Sequence, residues 1–544
     1  MSNLQGSAVL DSAHLGDIRG AFGTIRKADT GPRQGWLARL KTLLAILGPG
    51  LIVMVGDNDA GAFSVYAQAG QNFGTTLLWT LALLIPVLYV NQEMVLRLGA
   101  VTGVGHARLI LERFGKFWGA FSVIDLFILN GLTIVTEFIG ISLALDYLGV
   151  PKLLGIGVSA ILIMAAAGTG DFRRFERFSM VLVFGSLLLI PLFIMVHPPM
   201  GEVLHDFTVP HLPTNAPLAD VMLLIIGIVG TTVAPWQLFF QQSYVIDKRI
   251  TPRFIRYERI DLWLGIVLVV VGAVAIMACM AHVFAGTPEA GQFIDAAAVA
   301  ASLTKYHGHL PGILFAIALI DASIIGAAAI SLSSAYAIGD VMSLKHSLHR
   351  KPSEAKGFYA VYCVLIAIAA GLVLIPGVPL GLLTNAVQTL AGVLLPSASV
   401  FLLLLCNDKE VLGPWVNNRL TNVATVIIVG VLVVLSIVLT AAEVFPGISG
   451  DHIMEILVIG CLVGLVLGLG SFALRAYRIA VGELPAETEE KLSRKQLDAW
   501  RMPPLETLKP GKLTGANRIW MGVLRGYLLL AVCMVIYKVI QLAM

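Results

Sequence analysis

The sequence predicts an all-α polytopic membrane protein built from two inverted five-helix repeats, with additional C-terminal helices. Three observations carry that prediction. Of 544 residues, 57% are hydrophobic and 13% charged, against about 25% charged in an average soluble domain, and the mean hydropathy is +0.85. Twelve apolar segments follow one another, each long enough to span at the roughly 20 residues a spanning helix needs. Segments 1 and 6 are each broken near the centre by polar residues, glycine or proline.

Segment 1, about 44–69, holds Gly56-Asp57-Asn58-Asp59-Ala60-Gly61 at its middle. A carboxylate in hydrocarbon costs about 2.5–3.5 kcal/mol on insertion scales, so one that is kept there faces a cavity or a partner. Glycines beside it predict an unwound turn, tolerated only where the freed backbone lines a polar site. Segments 2 to 5 lie at about 74–97, 117–148, 151–169 and 178–197. Segment 6, about 219–246, contains Gly230-Thr231-Thr232-Val233-Ala234-Pro235-Trp236-Gln237. Proline removes a helix hydrogen bond there, and two threonines and a glutamine add side-chain oxygens. Five segments separate the breaks, and an odd number of helices per repeat inverts one half relative to the other. Paired breaks at corresponding positions mark a transporter's substrate site.

Segments 7 to 12 follow at about 261–285, 311–342, 357–376, 381–406, 421–443 and 452–474, with a thirteenth candidate at 519–541. Lysine and arginine set orientation: the loops on the N-terminal side carry 24 and the opposite set only Lys152 and Lys305. The N-terminus and the end of segment 12 are therefore expected in the cytoplasm, with the chain multi-pass in the inner cell membrane. The expected division is a mobile basic tail over 1–40, repeats over 41–200 and 218–410, two further helices over 420–475, and a charged linker with the thirteenth candidate over 476–544.

Other residues read more plainly. The five cysteines all lie in apolar segments without metal-ligand spacing, and the histidines of the 198–218 loop are dispersed. Asp125, Asp146, Glu93 and Asp340 sit near segment ends, where hydration is expected, while Asp321 within segment 8 is expected to pair with another helix. No Ser/His/Asp set or phosphate-binding loop appears at the breaks, and the loops are too short for a catalytic domain, so an enzyme is not expected. The small net charge of +3 gives no reason to expect nucleic acid; the expected partners are a cation substrate and the lipid bilayer.

The run Leu47-Gly48-Pro49-Gly50, Asp59-Ala60-Gly61-Ala62, Gln68-Ala69-Gly70 and Phe73-Gly74 resembles the first helix of the Nramp divalent-metal transporters. So do Arg97-Leu98-Gly99-Ala100-Val101-Thr102-Gly103 after segment 2 and Glu137-Phe138-Ile139-Gly140 in segment 3. The resemblance covers about residues 44–445 and implies a LeuT-type fold binding divalent cations between helices 1 and 6. The departures from the family pattern carry more information. Its Asp-Pro-Gly-Asn reads Asp59-Ala60-Gly61-Ala62, and its Met-Pro-His reads Ala234-Pro235-Trp236; a further histidine is Gln241, and the acid three before Glu137 is Ile134. The family's helix-10 glutamine is retained as Gln388.

A thioether is a soft ligand that favours late transition metals, and Ala234 removes it. Mg²⁺ usually keeps several waters and takes one or two carboxylates. The expected site holds Asp59 as anchor, with Asp57, Ala60, Ala234, Gln237, Gln388 and Glu137 around the ion. This combination resembles the prokaryotic NRAMP-related magnesium transporters. The expectation is uptake of partly hydrated Mg²⁺, and also Mn²⁺, without proton coupling and without a resident cofactor. The alternatives are a proton-coupled Mn²⁺/Fe²⁺ carrier of the main Nramp type and an amino-acid or organic-solute transporter of the same fold, whose substrate carboxylate two acids would repel.

Overall fold

The computed structural model describes residues 8–511, except 215, 378–379, 446–447 and 481–492, and beyond 511 only positions 522, 526, 529 and 533. The thirteenth candidate span therefore lies outside the described residues. Hydrocarbon leaves an apolar backbone only internal hydrogen bonding, and all twelve segments are helical. Segment 1 is α2 (Pro49–Val55) and α3 (Ala60–Phe73), after a preceding α1 (Trp36–Ile46). Segment 2 is α4 (Trp79–Thr102), followed by α5 (His106–Phe114); segments 3 and 4 are α6 (Lys116–Tyr147) and α7 (Lys152–Gly168). Segment 5 is α8 (Phe172–Gly185) and α9 (Leu189–Val196), joined by a 3₁₀ turn at Ser186–Leu188, and α10 (Met200–Thr208) follows it.

Segment 6 is α11 (Leu218–Thr232) and α12 (Pro235–Asp247), and segment 7 is α13 (Ile255–Phe284). After α14 (Ala296–His307) come α15 (His309–Val341), α16 (Lys356–Val373) and α17 (Leu380–Cys406), which are segments 8 to 10. The chain continues through α18 (Lys409–Leu412), α19 (Arg419–Val444), α20 (Gly450–Ala480) and α21 (Arg494–Ala499). Among the described residues nine helices are long and apolar enough to cross a membrane, ten if the bent pair α1 and α2 forms one span. The difference from twelve falls on three segments: segment 1 is split, α7 has 17 residues, and part of α17 is not described at side-chain level.

The packing carries the internal repeat. Segment 1 packs on segment 7 as segment 6 packs on segment 2, and segment 3 lies along segment 8. Each pairing maps onto its counterpart when five is added to or subtracted from the segment numbers, as two inverted five-helix units require. Segments 11 and 12 sit outside this core, and the apolar window of α20 is only 6% buried.

The N-terminal stretch is not the mobile tail its basic composition suggests. Ser12–His14 form a 3₁₀ turn, and Ile18–Gly20 (β1) pairs antiparallel with Gly23–Ile25 (β2). Ala8, Ile18, Ala21 and Ile25 are buried. Asp11 accepts from Arg350 at 2.5 Å and from the His346 N–H at 3.0 Å, while His14 Nε2 lies 3.6 Å from Asp247. Burial raises the Asp11 carboxyl, but hydrogen bonds from Arg350 and from the Ala13 N–H outweigh it and leave the group well below its ordinary value. Burial alone would lower His346; the Asp340 carboxylate 3.0 Å away instead holds it raised to about 9. Apolar and charged contacts that the tail's own composition does not reveal thus hold it on the basic face.

The same face fixes the bend of 51° between α1 and α2. Lys248, fully buried, donates to the Ile46 and Leu47 carbonyls at 2.6 and 2.7 Å and to Glu176 at 2.6 Å. Asp261 accepts from the Gly48 and Gly50 N–H groups at 3.1 and 2.6 Å. A cation at the C-terminal end of α1 and an anion at the N-terminal end of α2 match the two helix dipoles.

Four other acids depart from expectation. Glu93 is buried between Arg97 at 3.1 Å and Arg259 at 2.6 Å, and Asp340 is buried against His346, so ion pairing rather than water satisfies both. Asp125 is also buried, with Oδ1 unpartnered. Asp146 is exposed, as expected. Asp321 is half-buried against Gly185 and has no ion-pair partner among the described residues, because the opposing surface of α8 offers no cation there.

Candidate metal centre between the two breaks

Segment 1 unwinds over Gly56 to Asp59. Asp59 is extended (φ −74°, ψ −176°) and caps α3, its Oδ1 accepting from the Ala62 N–H at 2.8 Å. Segment 6 unwinds at Val233 and Ala234, both extended, and restarts with Pro235 at the first position of α12, where a missing N–H costs nothing. A side-chain hydrogen bond ties the breaks together: Gln237 Nε2 donates to Asp57 Oδ1, and Gln237 Oε1 accepts from Gln92 Nε2 of α4 at 2.9 Å. Tyr66 of α3 and Thr232 of α11 join their hydroxyls at 2.7 Å.

Glu137 enters from α6. Its Oε2 accepts the Ala60 N–H at 3.1 Å. Gly326 of α15 makes room for this pair, since a Cβ there would lie 3.0 Å from the Glu137 carboxyl and 3.2 Å from Asp59 Cβ. All of these groups are buried: Asp57, Gln237 and Glu137 are fully inaccessible, Asp59 is 3% exposed.

Most of the expected residues therefore converge. Asp57, Asp59, Glu137 and Gln237 line one buried polar seam, and Ala234 is a buried, extended residue of the segment-6 break. Ala60 joins through its N–H, because the α3 ladder engages its carbonyl; the carbonyls that a break releases are those ending the preceding helix. Gln388 lies on α17, and its side chain is outside the described residues. Among the described residues no three His, Cys, Asp or Glu side chains form a metal-holding group, so the acids do not make a closed carboxylate cage. The seam offers carboxylates together with amides, hydroxyls and break carbonyls.

Sequence reading gave no role to Asn58, Tyr66, Asn91 or Gln92. The signal was present for two of them, since Asn91 and Gln92 interrupt an apolar span. Several unpartnered buried atoms lie at the two breaks or on the helices beside them: Asp57 Oδ2, Glu137 Oε1, both amide atoms of Asn91 and of Gln241, Thr231 Oγ1 and Trp236 Nε1. Buried polar atoms without a protein partner call for water or an ion.

Comparison with known proteins shows the family and the fold. The family described as natural resistance-associated macrophage protein-like, Nramp, matches residues 50–442. A divalent metal cation transporter MntH of Ralstonia nicotianae is 28% identical over 407 residues, 70% of this chain and 87% of that one. A second MntH, from Xylella fastidiosa, is 28% identical over 477 residues, covering 82% and 95%. A solved structure of an Eremococcus coleocola manganese transporter shares the fold with TM-score 0.64 at 19% identity, covering 83% of this chain and 98% of that one.

Proposed function

The chain belongs to the Nramp family, and from that premise we propose that it is a divalent metal cation transporter whose preferred cargo is partly hydrated Mg²⁺. Mn²⁺, which takes oxygen ligands of similar geometry, is carried as well. The observation that carries this reading is the chemistry of the seam. Where the family pattern has a thioether there is Ala234, and among the described residues the unpartnered buried side-chain groups of the two breaks and of Asn91, Glu137 and Gln241 beside them are carboxylate, amide, hydroxyl or indole N–H. Amides and hydroxyls with unpartnered atoms can hold the water shell of an ion that dehydrates reluctantly, while Asp57 and Asp59 supply the charge.

The proposed direction is uptake across the inner cell membrane with the basic face cytoplasmic. No proton need accompany the ion, because a divalent cation falling through about 100 mV gains about 4.6 kcal/mol, twice the 2.3 per charge. Purified protein in liposomes, given Mg²⁺, Mn²⁺ or Ca²⁺ outside and a pH dye within, tests both points. Saturable Mg²⁺ uptake without lumenal acidification is expected; acidification that tracks the metal refutes uncoupled transport, and Mn²⁺ uptake that 100-fold excess Mg²⁺ leaves untouched refutes the cargo. One observation favours the second reading, a proton-coupled Mn²⁺/Fe²⁺ carrier: Asp59 and Glu137 are two buried acids side by side at Gly326, and neighbouring buried carboxyls disfavour each other's charge, which suits exchange of a proton for the metal.

A further inference from the structure

A second cavity, of about 500 Å³, lies beside the metal seam and is not part of it. That volume falls within the roughly 300–1,000 Å³ of small-ligand sites. Its walls are α9 with the 3₁₀ turn before it, α13, and α10, which lies on the side opposite the basic loops. Its floor is Val55 and Asn58, at the break of segment 1. Apart from Asn58 and Ser186 the lining side chains are apolar, with the Met200 thioether as their only heteroatom, so neither a metal ion nor a hydrated solute fits its chemistry.

The mouth identifies the occupant. Ile190, Ile194 and Val271 are 45%, 59% and 49% exposed on spanning helices, so the cavity opens sideways at hydrocarbon depth. From Leu268 to Ala275 it runs along about 10 Å of α13, at 1.5 Å per residue, within the roughly 15 Å of one leaflet's hydrocarbon. It thus descends from α10, between Leu204 and Phe207, to the break. At that depth the apolar chains at hand are lipid tails. We propose that this cavity binds one acyl tail of a phospholipid from the leaflet opposite the basic face.

The floor ties this site to the moving parts. Asn58 Nδ2 donates to the Val269 carbonyl at 3.0 Å, and Gly272 has no room for a Cβ because Asn58 Nδ2 would lie 2.4 Å from it. A 3₁₀ stretch inside a long helix often marks a hinge, and Ser186–Leu188 is one. The tail therefore packs between the break of segment 1 and the interruption of segment 5.

The test is photolabelling of the full chain in lipid nanodiscs containing a phosphatidylcholine with a diazirine at mid-tail, read by peptide mass spectrometry. It is independent of which metal is carried. Adducts over residues 186–194 and 268–275 should exceed by at least fivefold those at Leu462 and Val466 of α20, exposed positions that report ordinary lipid contact. Ala275→Trp, which fills the cavity, and Ile190→Trp, which narrows its mouth, should each cut the cavity adducts at least fivefold and leave α20 labelling unchanged. Cavity labelling no higher than on α20, or labelling indifferent to both tryptophans, overturns the proposal. So does labelling by a diazirine free fatty acid but not by the phospholipid, or cross-linking of residues 519–541 into the cavity.

Discussion

Asp59→Asn separates the two tasks of one residue. Asp59 caps α3 through Oδ1, and in the proposed site its charge faces the ion. Asparagine is as good an N-cap as aspartate, whereas alanine costs about 1 kcal/mol at such a position. The charge is a larger quantity. At an effective dielectric of 20 two unit charges 4 Å apart attract by about 4 kcal/mol, so a divalent ion gains about 8 kcal/mol before desolvation. If desolvation consumes three quarters, the remaining 2 kcal/mol or so is still about thirtyfold in affinity, at about 1.4 kcal/mol per decade. The assay is initial Mg²⁺ uptake into liposomes at sub-saturating metal, paired with thermal unfolding in detergent. Asp59→Asn should keep the unfolding midpoint and lose at least thirtyfold in uptake. Asp59→Ala should lose both. An asparagine variant that transports at more than half the wild-type rate refutes the assignment of Asp59 as anchor.

Four further outcomes are expected. Ala234→Met restores a soft ligand and should raise Mn²⁺ uptake relative to Mg²⁺ severalfold in a competition assay. Gly326→Ala pushes a methyl to 3.0 Å from the Glu137 carboxyl; overpacking of this kind costs about 1–3 kcal/mol and should depress metal uptake with it. Lys248→Met leaves Glu176 buried without its cation and should destabilise by about 3–5 kcal/mol, measured by thermal unfolding, with Glu176→Gln recovering part of the loss. The pH dependence has a definite sign at His346. Its value is raised from 6.5 to about 9 by Asp340, so its contribution is complete below pH 6.5 and disappears as pH rises through 9. The size is about 3 kcal/mol, at 1.36 per unit. Unfolding midpoints should fall between pH 7 and 9.5 in the wild type and fall less in His346→Asn.

Much of this protein is legible in its sequence. Apolar length alone places twelve helices, because hydrocarbon leaves the backbone no other partner for its hydrogen bonds. The breaks are legible for a related reason: Asp57, Asp59 and Pro235 are costly in a spanning helix and are kept where a site needs them. What stays hidden is whatever depends on which helices touch. Gln92 is an ordinary polar residue until α4 packs on α12 and its amide reaches Gln237. Gly326 is one small residue among many until α15 lies along α6 and no Cβ fits beside Glu137.

The basic N-terminal stretch shows the same limit from the other direction. Its composition matches a solvated tail, yet Asp11 and His14 find Arg350, His346 and Asp247, more than 200 residues away in the chain. Local sequence determined the spans and their breaks, since each follows from the cost of a residue in its own segment, while the resemblance to the Nramp pattern marked the loss of the soft ligand at Ala234. The tertiary structure decided which polar groups meet across the breaks, what closes the basic face and where an apolar cavity opens to lipid. Those outcomes depend on distances between segments, and no single segment contains them.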